Sequence, residues 1–154
     1  MSQPSKEQWV EITEQMDSLY SSVFLRCDGY LLVTRMRRKK NKLEINTYIN
    51  SFIKGEWFGS YETDDELSDI QRRFCRVSKR NLYTRKSISD SEKVFGKRES
   101  KKMGLYKKVF FVSPCWGSAK RLVSHLKKHN QNIEVLTHEE YTQAIEALPK
   151  EDAA

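Results

Sequence analysis

Cysteine, histidine, proline and glycine are all scarce in this chain, with three, three, three and six copies among 154 residues. The cysteines Cys27, Cys75 and Cys115 are odd in number, far apart and never in a C-x-x-C pair. A disulfide framework and a structural zinc site are therefore not expected, and a reducing, cytoplasmic location is. No apolar run approaches the roughly 20 residues of a membrane-spanning helix. The opening "MSQPSKEQWVEI" lacks the apolar core of a secretory signal. Walker, G-x-G-x-x-G, G-x-S-x-G and H-E-x-x-H patterns are absent, as are repeats and low-complexity segments. No cofactor, metal or membrane partner is expected from this inventory.

What is present is a chain with enough apolar material to fold. Seventeen aromatics and 38% hydrophobic residues are too many for a solvating tail. The length fits one domain, taken as residues 1–150, with 151–154 as a disordered tail. The net charge of +7 conceals an asymmetry: residues 1–20 carry −3, residues 21–128 carry +15 and residues 129–154 carry −5. A basic middle between acidic ends suggests a polyanionic partner. Alternatively, acidic terminal helices fold back and neutralise it.

Periodicity predicts an α+β fold: a helix, a three- to four-stranded antiparallel meander, a helix, then a β-α-β-α run. Trp9, Ile12, Met16 and Leu19 form one apolar stripe of a helix over 5–19, opened by a Ser5–Gln8 capping box. Asp28-Gly29 is a hairpin signal between apolar strands, with a bulge at Gly29 as the alternative. Leu43, Ile45, Thr47 and Ile49 alternate on a following strand. "FIKGEWF" reads as a further short strand. Thr63 and Glu66 suggest a second helix with Leu67, Ile70, Phe74 and Val77 inward. Residues 81–107 read as a short helix, with a Ser89–Glu92 box, and a mobile basic loop. "KKVFFVS" and "NIEVL" read as strands, "GSAKRLVSHLKKH" and "THEEYTQAIEAL" as helices, the two strands forming a parallel pair through a right-handed crossover.

The basic stretch "RMRRKKNK" is the main candidate site. It puts Arg35, Arg37, Arg38, Lys39, Lys40 and Lys42 at an expected hairpin tip, where cations project into water and can straddle phosphates. Arg72, Arg73, Arg76, Lys79, Arg80, Arg85 and Lys86 form a second cationic group, and seven more cations follow between Lys93 and Lys108. Phe74, Tyr83, Phe95 and Tyr106 interleave them; exposed aromatics stack bases, whereas Phe74 lies on the predicted apolar stripe. The expectation is a non-catalytic accessory protein binding DNA or RNA through phosphates. The competing reading is a protein-binding module or inhibitor that sets the basic face against an acidic protein. Oligomeric state is left open.

A third reading starts from Cys115 and Arg121, spaced C-x5-R after a strand and at a helix start. This resembles the phosphate-binding loop of cysteine-dependent phosphatases over seven residues, which would make Cys115 the nucleophile. Pro114 before the cysteine and Leu122 after the arginine depart from that pattern, and Asp90 is the nearest upstream acid. Ser118, Lys120 and Arg121 form a candidate anion site that needs no reactive thiol. His125 and His129 sit one helical turn apart beside Lys127 and Lys128, which would repel a cation, so solvated helix histidines are expected. "ESK" at 99–101 matches half of a nuclease motif, but in loop-like sequence rather than on a strand edge.

Overall fold

The computed structural model describes residues 2–149; the expected tail at 151–154 lies outside them. Every α-helix begins where a hydroxyl accepts from an otherwise orphaned amide. Ser5, Ser68, Thr84, Ser118 and Thr137 cap α1 (Lys6–Met16), α2 (Asp69–Phe74), α3 (Arg85–Lys102), α4 (Ala119–His129) and α5 (His138–Glu146). In α1, α2 and α5 the third residue, Gln8, Gln71 or Glu140, accepts from the cap amide in return.

The strands form two antiparallel sheets. β1 (Ser22–Cys27), β2 (Tyr30–Lys39) and β3 (Lys42–Ile49) make a meander. A second set is β4 (Gly59–Tyr61), β5 (Arg76–Asn81) and β6 (Lys108–Ser113). β7 (Cys115–Trp116) and β8 (Ile133–Leu136) join the meander at its edges, giving the order β7-β3-β2-β1-β8, while the smaller sheet runs β4-β6-β5. Asp28 and Gly29 turn β1 into β2 with φ of 46° and 93°, the double positive φ that matches the strand twist. Lys40 and Asn41 turn β2 into β3, with Lys39 paired to Lys42.

The larger sheet is covered on both faces. Leu25, Leu32, Ile45 and Ile49 pack against Trp9, Ile12 and Met16 of α1 and Leu122 and Leu126 of α4, and Val112 of the smaller sheet joins the same core. On the other face Leu31, Val33 and Leu136 pack beneath Tyr141 of α5. Double coverage explains why four successive residues of β2, Leu31 to Thr34, are buried although neighbours point to opposite faces.

Several expectations need correction. Leu19 is 44% exposed, because α1 ends at Met16. Leu43 is 46% exposed, because it lies at the hairpin tip beyond the covered part of the sheet. Instead of a strand, "FIKGEWF" contains a short 3-10 helix, Gly55–Trp57, that buries Trp57. The helix expected from Thr63 is a 3-10 turn, Asp64–Glu66, followed by α2 behind the Ser68–Gln71 box. The chain becomes extended at Cys75, so Arg76, Val77, Lys79 and Arg80 lie on β5. Residues Arg85–Lys102 are helical with a break at Gly96 (φ 82°), where a short helix and a loop were expected, and Thr84 rather than Ser89 is the cap. No parallel pair forms: β6 lies in the smaller sheet, and β8 pairs antiparallel with β1 in the larger.

Candidate functional site

A cleft of about 940 Å³ lies where α4 faces α2 and the β5 edge of the smaller sheet. Its apolar lining comes from Leu67, Val77, Phe110 and Trp116, and its cations are Arg72, Arg76, Lys120, Arg121 and Lys128. None of the described residues lining it is acidic. Two groups distant in sequence therefore meet here: Arg72 and Arg76 of the central basic run, and Lys120 and Arg121 of the candidate anion site.

Local structure fixes these side chains. On α4, Leu122, Val123 and Leu126 are buried in the core, which turns Arg121, Ser124, His125 and Lys128 toward the cleft. Trp116 is anchored by its indole N–H, which donates to the Phe74 carbonyl at 2.9 Å. Arg72 donates from Nε to the Leu67 carbonyl at 3.3 Å and from Nη2 to the Asp65 carbonyl at 3.4 Å. Arg76 is half-buried, and its Nε is enclosed without a hydrogen-bond partner among the described residues.

His125 is not merely solvated, whereas His129 is exposed as expected. His125 is half-buried, and its Nε2 lies 2.8 Å from the Arg72 carbonyl. A carbonyl only accepts, so Nε2 carries the proton. Burial, with His129 and Lys128 adding to it, pulls His125 down to about 4. His129 is also lowered, first by burial and then by Lys128 and Arg73. Both rings are neutral at physiological pH, so the positive charge of the cleft comes from its lysines and arginines.

The basic hairpin begins beside this cleft. All six of its cations, Arg35, Arg37, Arg38, Lys39, Lys40 and Lys42, are exposed. Arg35 and Arg37 each sit 5.8 Å from the Tyr48 ring centroid. β3 pairs with β7 through Ile45–Trp116 and Asn46–Cys115, so the same strand that carries the hairpin leads to Trp116 in the cleft. Cys115 feels both regions. Burial raises its thiol and Glu44 adds to that, against the Ser113 hydroxyl, Lys39 and Arg76, which lower it. Burial also pushes Cys27 and Cys75 up to about 12.

The other predicted residues are dispersed. Arg73 is half-buried and held by two ion pairs, 2.6 Å from Asp28 and 2.9 Å from Asp69. Lys79 lies 5.7 Å from the Phe110 ring at the cleft margin, and Arg80 lies 5.9 Å from the Phe111 ring. Arg85 and Lys86 are in the exposed first turn of α3 and do not line the cleft. Ser118 caps α4, accepting from the Arg121 amide, and does not line the cleft either. Sequence reasoning missed Lys128, Ser124, Trp116 and Phe110 as cleft residues. The spacing of Arg121, Ser124, His125 and Lys128, one polar face at helical period, was the available signal for the first two.

No protein-family model, curated protein or solved structure matches this chain.

Proposed function

We propose that this protein binds nucleic acid through its phosphates, in the cleft between α4 and β5 and along the basic β2–β3 hairpin. The observation that carries the reading is the lining of the cleft: five lysines and arginines, aromatic walls and no acid among the described residues. Converging cations favour a polyanion because each neutralised phosphate releases condensed counterions. Binding is favoured over phosphatase chemistry. Cys115 lies on a paired strand, does not line the cleft, and its thiol is raised rather than activated.

The test is the triple variant Lys120→Ser, Arg121→Ser and Lys128→Ser. All three residues are exposed, so the fold is expected to persist. Affinity for any single-stranded oligonucleotide should fall regardless of sequence, and the slope of log K against log salt should become shallower by about 2, at about 0.7 per lost contact. Unchanged affinity would remove the cleft from the interface.

A second reading, an acidic protein as partner, has one feature in its favour. The α3 segment exposes Val94 (73%), Phe95 (55%) and Met103 (54%) among its lysines. A protein partner would co-purify through gel filtration unaffected by nuclease, with a protein-like absorbance ratio.

A further inference from the structure

We infer that the outer face of the smaller sheet is a stacking platform for unpaired bases, so that the preferred ligand is single-stranded. This rests on the phosphate-binding reading and extends it. The register puts Ser60 opposite Phe111 and Phe111 opposite Ser78, and Phe58, in extended conformation two residues before Ser60, joins the same face. The opposite face contributes Val112 and Tyr61 to the core. Phe58 and Phe111 are 46% and 36% exposed. The small hydroxyls Ser60, Ser78 and Ser113 lie beside them, and with Arg76 and Arg80 these residues line a hollow of about 410 Å³.

Charge accompanies these rings. Arg80 lies 5.9 Å from the Phe111 centroid, and Arg76 lines this hollow as well as the larger cleft. Ser78 is likewise common to both. The two depressions therefore meet around the β5 edge, and a strand whose phosphates occupy the cleft can pass its bases onto Phe111 and Phe58. A duplex has its bases already stacked on one another and offers no free face to either ring. A phosphopolymer without bases, in turn, offers nothing to stack.

Three probes, each built of strands about ten nucleotides long, separate the possibilities by fluorescence anisotropy: a single strand, a base-free (abasic) backbone of the same phosphate number, and a duplex of the same length, which carries twice the phosphates and should nonetheless gain nothing from the two rings. The wild-type protein should bind the single strand more tightly than the abasic strand, by roughly 5- to 150-fold for each stacked base. In Phe58→Ala/Phe111→Ala that advantage should vanish while abasic binding is retained, which also shows that the variant is folded. Equal wild-type affinity for single and abasic strands overturns the platform but leaves phosphate binding intact, and this comparison needs no variant. Binding to none of the three probes overturns both.

Discussion

Asp28 holds three parts of the chain together. Its carboxylate accepts from Arg73 Nη1 at 2.6 Å and from the amides of Gln131 and Asn132 at 2.9 and 2.8 Å. These bonds, the Gln131 amide foremost, keep its carboxyl below the usual aspartate value. They also join the β1–β2 turn to α2 and to the chain entering β8. Asp28→Asn preserves a residue that tolerates the φ of 46° while removing the charge, and it should cost about 1–3 kcal/mol at neutral pH. A depressed folded-state value means that this stability is present above the ordinary 3.8 and is lost as pH falls through the lower folded value. Urea titrations should therefore show the wild type and the variant converging in acid. His125 acts in a different window. The folded state keeps its ring neutral down to about 4, so the unfolded chain takes up the proton first, and stability falls as pH drops from 6.5 toward 4. His125→Gln retains a donor for the Arg72 carbonyl and cannot titrate; its stability profile should be flatter across that range. A variant profile as steep as the wild type would show that another group governs it.

α3 behaves as an appendage to the β5–β6 hairpin. Only Ser100 of its residues is buried, bonded to Ser91 across the break at Gly96, and Tyr106 donates to Glu92 from the following chain. At its base the Leu82 amide donates to the Lys107 carbonyl at 2.9 Å, the pairing that closes a two-residue hairpin. Replacing residues 83–106 by Asn-Gly should therefore leave a cooperatively folding protein whose thermal midpoint, followed by circular dichroism, moves by only a few degrees (~5 °C). Loss of the transition would show that α3 is integral to the core. The same anatomy explains why this segment was illegible in the sequence: a helix that meets no core needs no apolar stripe, and Gly96 broke what little periodicity it had. The opposite difficulty arose at α2. Val77 continues the spacing of Ile70 and Phe74, so a strand residue read as the next turn of a helix. α1, α4 and α5 were legible because cap and stripe agree in each.

At the scale of the whole molecule, the ingredients of the candidate site were visible, but their meeting was not. The hairpin was legible because the alternation along β2 and β3 sets its register. The cleft was not, because it depends on the chain passing from the smaller sheet to the larger at Pro114, between β6 and β7, before α4 spans the larger sheet from β7 to β8, whereas the β-α-β order had suggested a parallel pair in one sheet. Arg73 shows the limit of counting cations: it belongs to the same basic run as Arg72 and Arg76 but is taken up by ion pairs with Asp28 and Asp69. Among the described residues, one ion pair joins an acidic end to the basic middle, Glu134 with Arg26, and none links an acid of α1 or α5 to the hairpin or to Lys120, Arg121 or Lys128.

Phosphate binding by the hairpin is tested most directly by the salt dependence of oligonucleotide binding, measured for the wild type and for a variant with Arg37, Arg38 and Lys39 changed to Ser and Lys40 to Asn. Asn is chosen at Lys40 because φ there is 55°. The wild type should bind both single strands and duplex at low salt, with affinity falling linearly in log salt. The variant should keep its thermal transition and bind all sequences more weakly, its slope shallower by about 0.7 per lost contact on single strands and about 0.9 on duplex DNA. A wild-type protein that binds neither DNA nor RNA at low salt, or a variant whose affinity and slope match the wild type, would contradict it.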